Sequence, residues 1–590
     1  MKETEDQRLV IAVLLALLVG LPGKVWSQAD SIQTVIEVDI TGNRSFPKSE
    51  LMSVIESRES SWFSWLPWID PTPMVSSRVR TDLLRLSDFY KSEGFLEVSV
   101  DTLIERQKNG YRVAFLVSEG DPVIVDSVEV YGLESSFLPD PRDFETVKGQ
   151  RLTRVGIEDD RLLILASLRD SGYAFAEVGV KTAVHRDRRR ALVEVTVDTR
   201  SRYRFGEVVV RGNHHVDGST ILRGVTFRPR MAYEQTEVRE ARRQLYRSGA
   251  FRSVVIAFPD SLASDSTLVT VVTVSERSLR SAKLGAGYDT QNIINGAVSW
   301  THRSAFGGAQ QFRVGLKASA ILTEFRVGLT QPYVFGPRNW MNFGVFAVRE
   351  EKGSGISQTE VGGNVVFERN IASRTTLFFE TRGGLIDFKS DSLFSEFVTQ
   401  FVDDQRDDFL DPSEGTFVRL EARQKGALLR SNRELLQFTA EGRWYSDLPF
   451  SSVLATKLFG GLILNLSEND EIPEFERFRA GGLSSVRGWP FNELGPKDAM
   501  GDPLGGKSKF EASVELRTKV GKYFGAAFFV DVGNVDPGFG AFELDRYKWA
   551  IGGGIRYLSP VGPVRLDAGR RLSDDSTALW QYHFSIGQAF

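Results

Sequence analysis

The sequence predicts three α+β repeats of β-α-α-β-β order, followed by an all-β transmembrane barrel of about 16 antiparallel strands. One observation is a unit that recurs with a period near 80 residues between about 32 and 277. Another is a pattern of alternating apolar and polar residues, without helical periodicity, from about 280 to the end. The third is a high content of glycine and aromatic residues, with 54 Gly and 41 Phe in 590 residues, which is typical of short strands, turns and aromatic girdles.

Charge and cysteine content exclude several functional classes. The formal net charge of −4 at pH 7 does not favour nucleic-acid binding. The absence of cysteine excludes disulfides, cysteine-based zinc sites and thiol catalysis. The five histidines show no ligand spacing. We therefore expect no metal and no cofactor.

The N-terminus predicts a signal peptide at residues 1–29. Residues 9–21 form one apolar run, which is short for a transmembrane helix and suits a signal-peptide core. Ser27 and Ala29 place small residues at −3 and −1 of a cleavage site after Ala29. Acidic residues before the run leave an uncleaved anchor as the alternative. No later stretch reaches 18 apolar residues, so a membrane-crossing mature chain would cross as a barrel.

The repeats are predicted at residues 30–120, 121–201 and 202–278. Each begins with a strand ending in glycine: Gly42, Gly132 and Gly212. Two helices follow, and the second ends at a capping glycine: Gly94, Gly172 and Gly249. Two alternating strands complete each unit. We expect one mixed sheet covered by two helices.

Residues 279–590 are predicted to form the barrel. In KFEASVELRTKV the even positions are apolar and the odd positions are polar, and in FGAAFFVDV Asp531 opposes an apolar face. Period two sets side-chain direction in a strand. Because only the apolar face suits lipid, Glu515 and Asp531 are expected to face the lumen. In the last strand one parity holds only aromatic or aliphatic residues: Trp580, Tyr582, Phe584, Ile586 and the terminal Phe590.

These segments resemble a known superfamily. The repeats resemble polypeptide-transport-associated (POTRA) domains, best at residues 90–95, 168–173 and 246–251. GGLSSVRGW (481–489) resembles the V-R-G-[FYW] motif of the outer-membrane assembly superfamily that includes BamA, TamA and the two-partner-secretion transporters. FFVDVGNV resembles its F-x-D-x-G strand motif, and GPVRLDAG (562–569) is a further family-like segment. Three repeats match the TamA-like layout best.

The resemblance implies a site. Val486, Arg487, Gly488 and Trp489 would belong to a loop folded back into the barrel. Arg487 would pair with Asp531, with Glu515 as a second acceptor. The last strand would serve as a targeting signal, as the closing strand at the barrel seam, or as both.

The resemblance also implies a function. The chain is expected in the outer membrane of a Gram-negative-type bacterium with its repeats in the periplasm. It would act without enzymatic activity, receiving unfolded β-barrel or secreted clients and inserting or translocating them with its barrel. Its partners would be these clients, outer-membrane lipid, and either accessory lipoproteins or an inner-membrane TamB-like protein. The alternative is a two-partner-type secretion pore dedicated to one exported protein.

Overall fold

A computed structural model describes residues 34–588 except 60–72, 109, 134–136, 138, 260–265, 352–356, 388–390, 427–433, 450, 467–470, 521–522, 540–542, 560–561, 573–579 and 587. The predicted signal peptide and Phe590 lie outside these residues. The chain divides into two compact units. One holds the first two repeats, and the other holds the third repeat and the barrel. Within the described ranges, no helix has the length and apolarity to cross a bilayer.

The three repeats share one sheet topology. The first has β1 (Val35–Thr41), α1 (Lys48–Val54), α2 (Ser76–Ser92), β2 (Ser99–Gln107) and β3 (Gly110–Ser118). The second has β4 (Ile124–Tyr131), a 3-10 turn (Pro141–Asp143), α3 (Arg154–Asp170), β5 (Glu177–His185), another 3-10 turn (Arg186–Arg188) and β6 (Arg190–Asp198). The third has β7 (Arg204–Arg211), α4 (Gly218–Gly224), α5 (Gln235–Arg247), β8 (Phe251–Ala257) and β9 (Thr267–Glu276). In each sheet the last strand is central, parallel to the first strand and antiparallel to the second. The predicted mixed sheet is confirmed.

The glycine that ends each first strand is required by space as well as by backbone conformation. All three have positive φ, at +85°, +81° and +80° for Gly42, Gly132 and Gly212. A Cβ there would strike a carbonyl oxygen of the central strand: 2.0 Å from Val117, 2.2 Å from Val197 and 2.3 Å from Val274, respectively. In every repeat the chain therefore leaves the first strand in close contact with the central strand, and only glycine fits at this position.

A buried carboxylate holds the next loop in the first repeat. Glu119, two residues after the central strand's Val117, accepts hydrogen bonds from the backbone N–H of Arg44 (2.7 Å) and of Ser45 (3.0 Å). It also accepts one from the hydroxyl of buried Tyr90 (3.0 Å). A carboxylate here satisfies backbone donors that no strand or helix pairs.

Glu276 plays the same part in the third repeat. It accepts hydrogen bonds from the backbone N–H of His214 (2.8 Å), His215 (2.9 Å) and Val216 (3.0 Å). Burial alone would raise its pKa, but these donors and the His215 ring outweigh burial and lower the pKa of Glu276 to about 2. The ionised form is therefore the one that stabilises the fold.

The second repeat departs from this arrangement. Thr199 stands where the other two repeats have glutamate. The prediction of a first helix is wrong for this repeat over the described residues 139–153, which contain only the 3-10 turn Pro141–Asp143 before α3. Threonine has no carboxylate that could accept hydrogen bonds as Glu119 and Glu276 do.

We expect Glu276→Gln to destabilise the third repeat by about 2 kcal/mol at pH 7, because a neutral amide accepts hydrogen bonds more weakly than a carboxylate. Since the folded-state pKa lies below the ordinary 4.5, the stabilisation is present above about pH 4.5 and is lost as pH falls towards 2. Urea unfolding of the detergent-solubilised protein, followed by hydrogen exchange in residues 213–216, measures both effects. Equal stability of the variant and the wild type at pH 7 would contradict the assignment.

The barrel has 16 strands, which confirms the predicted number. They are β10 (Arg280–Asp289), β11 (Ile293–Arg303), β12 (Gln311–Ala318), β13 (Leu322–Pro332), β14 (Asn339–Glu351), β15 (Ser357–Asn370), β16 (Thr375–Asp387), β17 (Asp391–Asp404), β18 (Gly415–Lys425), β19 (Leu435–Leu448), β20 (Ser452–Asn465), β21 (Ser508–Val520), β22 (Phe524–Asp536), β23 (Lys548–Ser559), β24 (Gly562–Arg571) and β25 (Trp580–Ile586). A further 3-10 turn covers Leu544–Arg546. The strands pair antiparallel in chain order from β10 to β25.

The predicted alternation of faces is confirmed. Val514 on β21 and Phe528 on β22 are 48% and 66% exposed on the outer face. Glu515 and Asp531, on the opposite faces of the same strands, are fully buried inside. Trp580, Tyr582 and Ile586 of the last strand also lie on the outer face and are exposed. Phe584 lies on the same face and is half-buried.

The first and last strands meet at a seam. The backbone N–H of Thr290, just past β10, donates to the carbonyl of Phe584 on β25 (3.1 Å). The Tyr288 and Phe584 rings are 5.7 Å apart. In the described part of the chain these two strands are the first and last of the sheet, and they do not form a continuous hydrogen-bonded ladder with each other.

The third repeat is joined to the turns of the barrel. Arg247 at the end of α5 forms an ion pair with Glu368 and a hydrogen bond with Asn370. The hydroxyl of Tyr333, between β13 and β14, donates to the carbonyl of Gln244 (3.1 Å). A Cβ at Gly224 would lie 2.7 Å from the Tyr333 ring. This repeat is therefore closely packed against the barrel.

Candidate functional site

The site is built around the chain between β20 and β21, here called the lumen loop (residues 466–507). The structure describes residue 466 and residues 471–507 of this loop. Isolated bridges give it an internal frame: Phe478 with Gly506, Ala480 with Leu494, and Lys497 with Pro503. Its polar groups contact inward-facing residues of the barrel strands on two sides. The loop therefore folds back into the barrel.

Arg487 is the central contact of the loop. Its side chain is 1% exposed. Nε and Nη2 donate to the two oxygens of Asp531, each at 2.8 Å, in a bidentate pair. The backbone N–H of Arg487 also donates to Asp531 (3.0 Å). A planar guanidinium suits this two-point geometry, and lysine cannot reproduce it.

Two further carboxylates and one ring complete the pocket. Nη1 of Arg487 forms an ion pair with Glu515 and lies 3.5 Å from an oxygen of Asp567. The guanidinium carbon is 3.4 Å from the centroid of the Phe529 ring, which supplies a cation–π contact. All three carboxylates are fully buried. The structure thus brings Arg487, Asp531 and Glu515 together, and it adds Asp567 on β24.

Three more arginines share these carboxylates. Arg517 lies 2.8 Å from Glu515. Arg556 forms an ion pair with Asp567 and lies 3.6 Å from Glu515. Arg565 is 3.4 Å from Asp567. Four guanidinium groups therefore face three carboxylates within one buried network. Glu515 and Asp567 each contact other arginines, but within the described chain Asp531 forms an ion pair with Arg487 alone, so that removing Arg487 strands this carboxylate.

Gly488 of the motif is required because the loop backbone lies very close to the barrel wall there. A Cβ at Gly488 would lie 2.7 Å from the Cβ of Ala550 on β23. From the barrel side, a Cβ at Gly569 on β24 would lie 2.6 Å from the carbonyl oxygen of Arg487. That oxygen accepts a hydrogen bond from Nε2 of His583 on β25 (2.8 Å). The loop backbone is therefore pressed against the wall with no room for side chains at either glycine.

The apolar residues of the motif pack around this contact. Val486 is fully buried and Trp489 is 4% exposed, and they share a cluster with Ala480, Leu494, Val535 and Ala550. The guanidinium of Arg571 lies 5.3 Å from the Trp489 ring centroid, and its Nε donates to the carbonyl of Gly488 (2.7 Å). Trp489 therefore fills the aromatic position of the motif within a packed interface.

A second anchor, formed by Phe475 and Glu476, holds the loop on another part of the wall. Phe475 is 6% exposed and packs against Phe346, Ile386 and Phe394 on β14, β16 and β17. Glu476 lies 2.5 Å from Nζ of Lys425 on β18, which is 2.8 Å from the buried carboxylate of Glu396. The loop is thus attached both to β21–β25 and to β14–β18.

Sequence reasoning did not find several members of the site. Asp567 lies in the family-like GPVRLDAG segment, and alternation along β24 would have placed it in the lumen with Arg565. Alternation along β23 and β25 would likewise have directed Arg556 and His583 inwards, opposite to Ile555 and Tyr582. The second anchor has no comparable sequence signal. The arrangement stabilises a docked loop, since its charged groups are held in ion pairs and hydrogen bonds.

Comparison with known proteins agrees with this architecture. A model of the Omp85 superfamily domain matches residues 305–590, and a POTRA model, described as a surface antigen variable number repeat, matches residues 33–120 and 203–276. The chain is 23% identical to the outer membrane protein assembly factor BamA of Nitratidesulfovibrio vulgaris, over 94% of this chain and 73% of that protein. It is 21% identical to BamA of Neisseria meningitidis serogroup B, over 94% of this chain and 78% of that protein.

A solved structure shares the fold. The crystal structure of BamA from Haemophilus ducreyi lacking POTRA domains 1–3 aligns with a TM-score of 0.58 at 16% identity, over 79% of this chain and 99% of that one. Repeats, a 16-stranded barrel and a loop docked inside it define a class of outer-membrane barrel proteins that carry POTRA domains. This chain belongs to the Omp85 superfamily, the BamA/TamA-type outer-membrane assembly superfamily, and it is a bacterial outer-membrane protein of BamA-like type.

Proposed function

We propose that this protein assembles outer-membrane proteins without enzymatic activity. Its repeats would receive unfolded β-barrel clients in the periplasm, and its barrel would insert them into the membrane. The observation that carries the proposal is the seam, where β10 and β25 end the sheet order and meet at Thr290 and Phe584. The BamA relatives are named as assembly factors, which supports the same function.

The seam offers a template for client strands. An edge strand presents unpaired backbone N–H and C=O groups, which favour pairing with another strand. Usually this is a liability that a closed barrel removes. Here the ends of the sheet lie side by side, so that opening the seam would expose β10 or β25 to an incoming strand without disrupting the other barrel ladders.

The wall beside the seam is short. β12 has 8 residues, whereas β15, β19 and β20 have 14 each. At about 3.4 Å per residue, this difference makes the first part of the wall lower before strand tilt is considered. A short apolar band thins the neighbouring bilayer. Thinning would lower the barrier to insertion on the side where β10 lies.

The repeats offer further strand edges. The sheet order leaves the first and second strands of every repeat at the edges. On β2, Leu103 and Ile104 are 45% and 42% exposed. Pairing of a client strand with such an edge uses backbone hydrogen bonds and so tolerates many client sequences. Accessory lipoproteins or a TamB-like inner-membrane protein are the further partners we propose.

Depletion of this protein in its own bacterium tests the function. We expect a broad fall in outer-membrane barrel proteins and a rise in periplasmic chaperones, because clients that are not inserted accumulate in the periplasm. Quantitative proteomics of outer-membrane fractions is the measurement. A strain carrying Arg487→Ala should show the same change, and Lys497→Ala on the exposed part of the loop is its control.

The breadth of the change separates the alternatives. Loss of one or a few proteins would favour a TamA-like or dedicated secretion role, in place of general assembly. No change in any barrel protein would rule out the assembly function. Restoration by the wild-type gene controls for indirect effects of depletion.

A further inference from the structure

The first strands of the barrel carry an excess of positive charge on their inner face, here called the basic wall. It consists of Lys283 on β10, Arg303 on β11, Arg313 and Lys317 on β12, and Arg326 on β13. Residues of opposite parity that do not line the cavity described below, such as Leu284 on β10 and Phe325 on β13, are 83% and 45% exposed on the outer face. Alternation therefore directs the cations inwards.

The basic wall borders a cavity of about 550 Å3. Gln311 and Thr330, which are paired in the β12–β13 ladder, line one end of it, and Lys317 and Glu324 line the other. These two pairs are six residues apart along β12, or about 20 Å at about 3.4 Å per residue. Its lining residues come from β10 to β15, away from the strands β21–β25 on which Arg487 docks. The cavity thus runs along β10–β15, and its described lining includes no residue of the lumen loop.

The charges of the basic wall are not balanced. Glu324 is its only carboxylate among the described lining residues, and it is shared by Lys317 (3.6 Å) and Arg326 (2.9 Å). Lys283 and Arg313 are exposed, and no carboxylate lies within 4 Å of them in the described chain. The cavity therefore keeps a positive potential.

The next part of the wall differs. There Glu360 forms an ion pair with Arg382, and Glu396 lies 2.8 Å from Lys425. Glu368 forms an ion pair with Arg247 of the third repeat. Glu360, Glu368 and Glu396 are thus matched by cations of their own. Glu380 on β16 accepts a hydrogen bond from Asn364 of the cavity lining (2.8 Å), so that it offsets one of the five cations of the basic wall and Glu324 offsets another.

We propose that the basic wall lines an aqueous path for anions, and that the barrel conducts small inorganic anions such as chloride in preference to cations. A cleft lined by charges of one sign concentrates counter-ions. Rings of arginine and lysine select for anions in other pores. The cavity would supply part of the path, and the exposed cations would supply the selectivity. This property is independent of the assembly function.

The test measures ion selectivity of the purified full-length protein in planar bilayers under a potassium chloride gradient. We expect a reversal potential of the sign for chloride, with a several-fold preference over potassium that grows at low ionic strength as screening weakens. Arg313→Gln with Lys317→Gln should bring the permeability ratio close to one. Arg313→Glu with Lys317→Glu should change the preference to potassium.

Matched changes elsewhere provide the control. Arg80→Gln, Lys91→Gln and Arg106→Gln remove exposed cations from the first repeat and should leave the reversal potential unchanged. Heat-dependent mobility on gels verifies that each variant forms a folded barrel. The proposal would be overturned if the wild-type protein preferred cations, if it conducted both ions equally, or if it carried no current. So would an unchanged reversal potential in both double variants.

Discussion

Arg487→Ala is expected to destabilise the docked lumen loop by about 3–5 kcal/mol, the usual cost of stranding buried charges. The substitution removes the bidentate pair with Asp531 and the contacts with Glu515 and Asp567, all fully buried. Limited proteolysis within residues 466–507 and urea unfolding of the barrel in lipid vesicles measure the effect. We expect faster cleavage of the loop and a lower unfolding midpoint.

Matched variants separate this effect from a general loss of charge. Lys497→Ala on the same loop breaks an exposed pair with Glu493 and should change stability little. Arg487→Lys keeps the charge but loses the two-point geometry, so that its stability should be intermediate. Adding Asp531→Asn to Arg487→Ala should restore part of the loss, since it removes one stranded carboxylate. A stability of Arg487→Ala equal to that of the wild type would refute the pairing as a stabilising contact.

The second large effect is expected for Phe475→Ala. Removing a buried phenylalanine typically costs about 3–5 kcal/mol through lost burial and the cavity that remains. Here the cavity would open between Phe346, Ile386 and Phe394, and it would loosen the neighbouring contact of Glu476 with Lys425. Proteolysis near residue 475 should accelerate while the contacts of Arg487 persist. Met500→Ala on the same loop, where the side chain is 86% exposed, is the control.

A double-mutant cycle tests whether the two anchors act together. Phe475 and Arg487 contact different parts of the wall but belong to one loop. Once one anchor is lost, the other holds a longer flexible chain, so that its removal should cost less than in the wild type. The combined loss should therefore be smaller than the sum of the single losses. Strict additivity would show that the anchors hold the loop independently.

Much of the fold followed from local patterns. The period near 80 residues and the capping glycines predicted three repeats, and alternation predicted a barrel of about 16 strands. In the second repeat the predicted first helix is absent from the described residues 139–153, and Thr199 stands where the other two repeats have glutamate. In the first and third repeats the first helix is short, with 7 residues in α1 and 7 in α4. Such a helix depends on tertiary contacts rather than on its own propensity.

The amino-acid sequence by itself determined which face of each strand carries charge, and so placed Glu515 and Asp531 inside the barrel. This was possible because side-chain direction in a strand has a period of two and needs no knowledge of the neighbours. Only the tertiary structure decided that Asp567, Arg556 and His583 join Arg487, and that Phe475 anchors the loop on the other part of the wall. Those contacts join residues far apart in the chain. They depend on the closure of the sheet and on the path of the loop across the lumen, which no local period records.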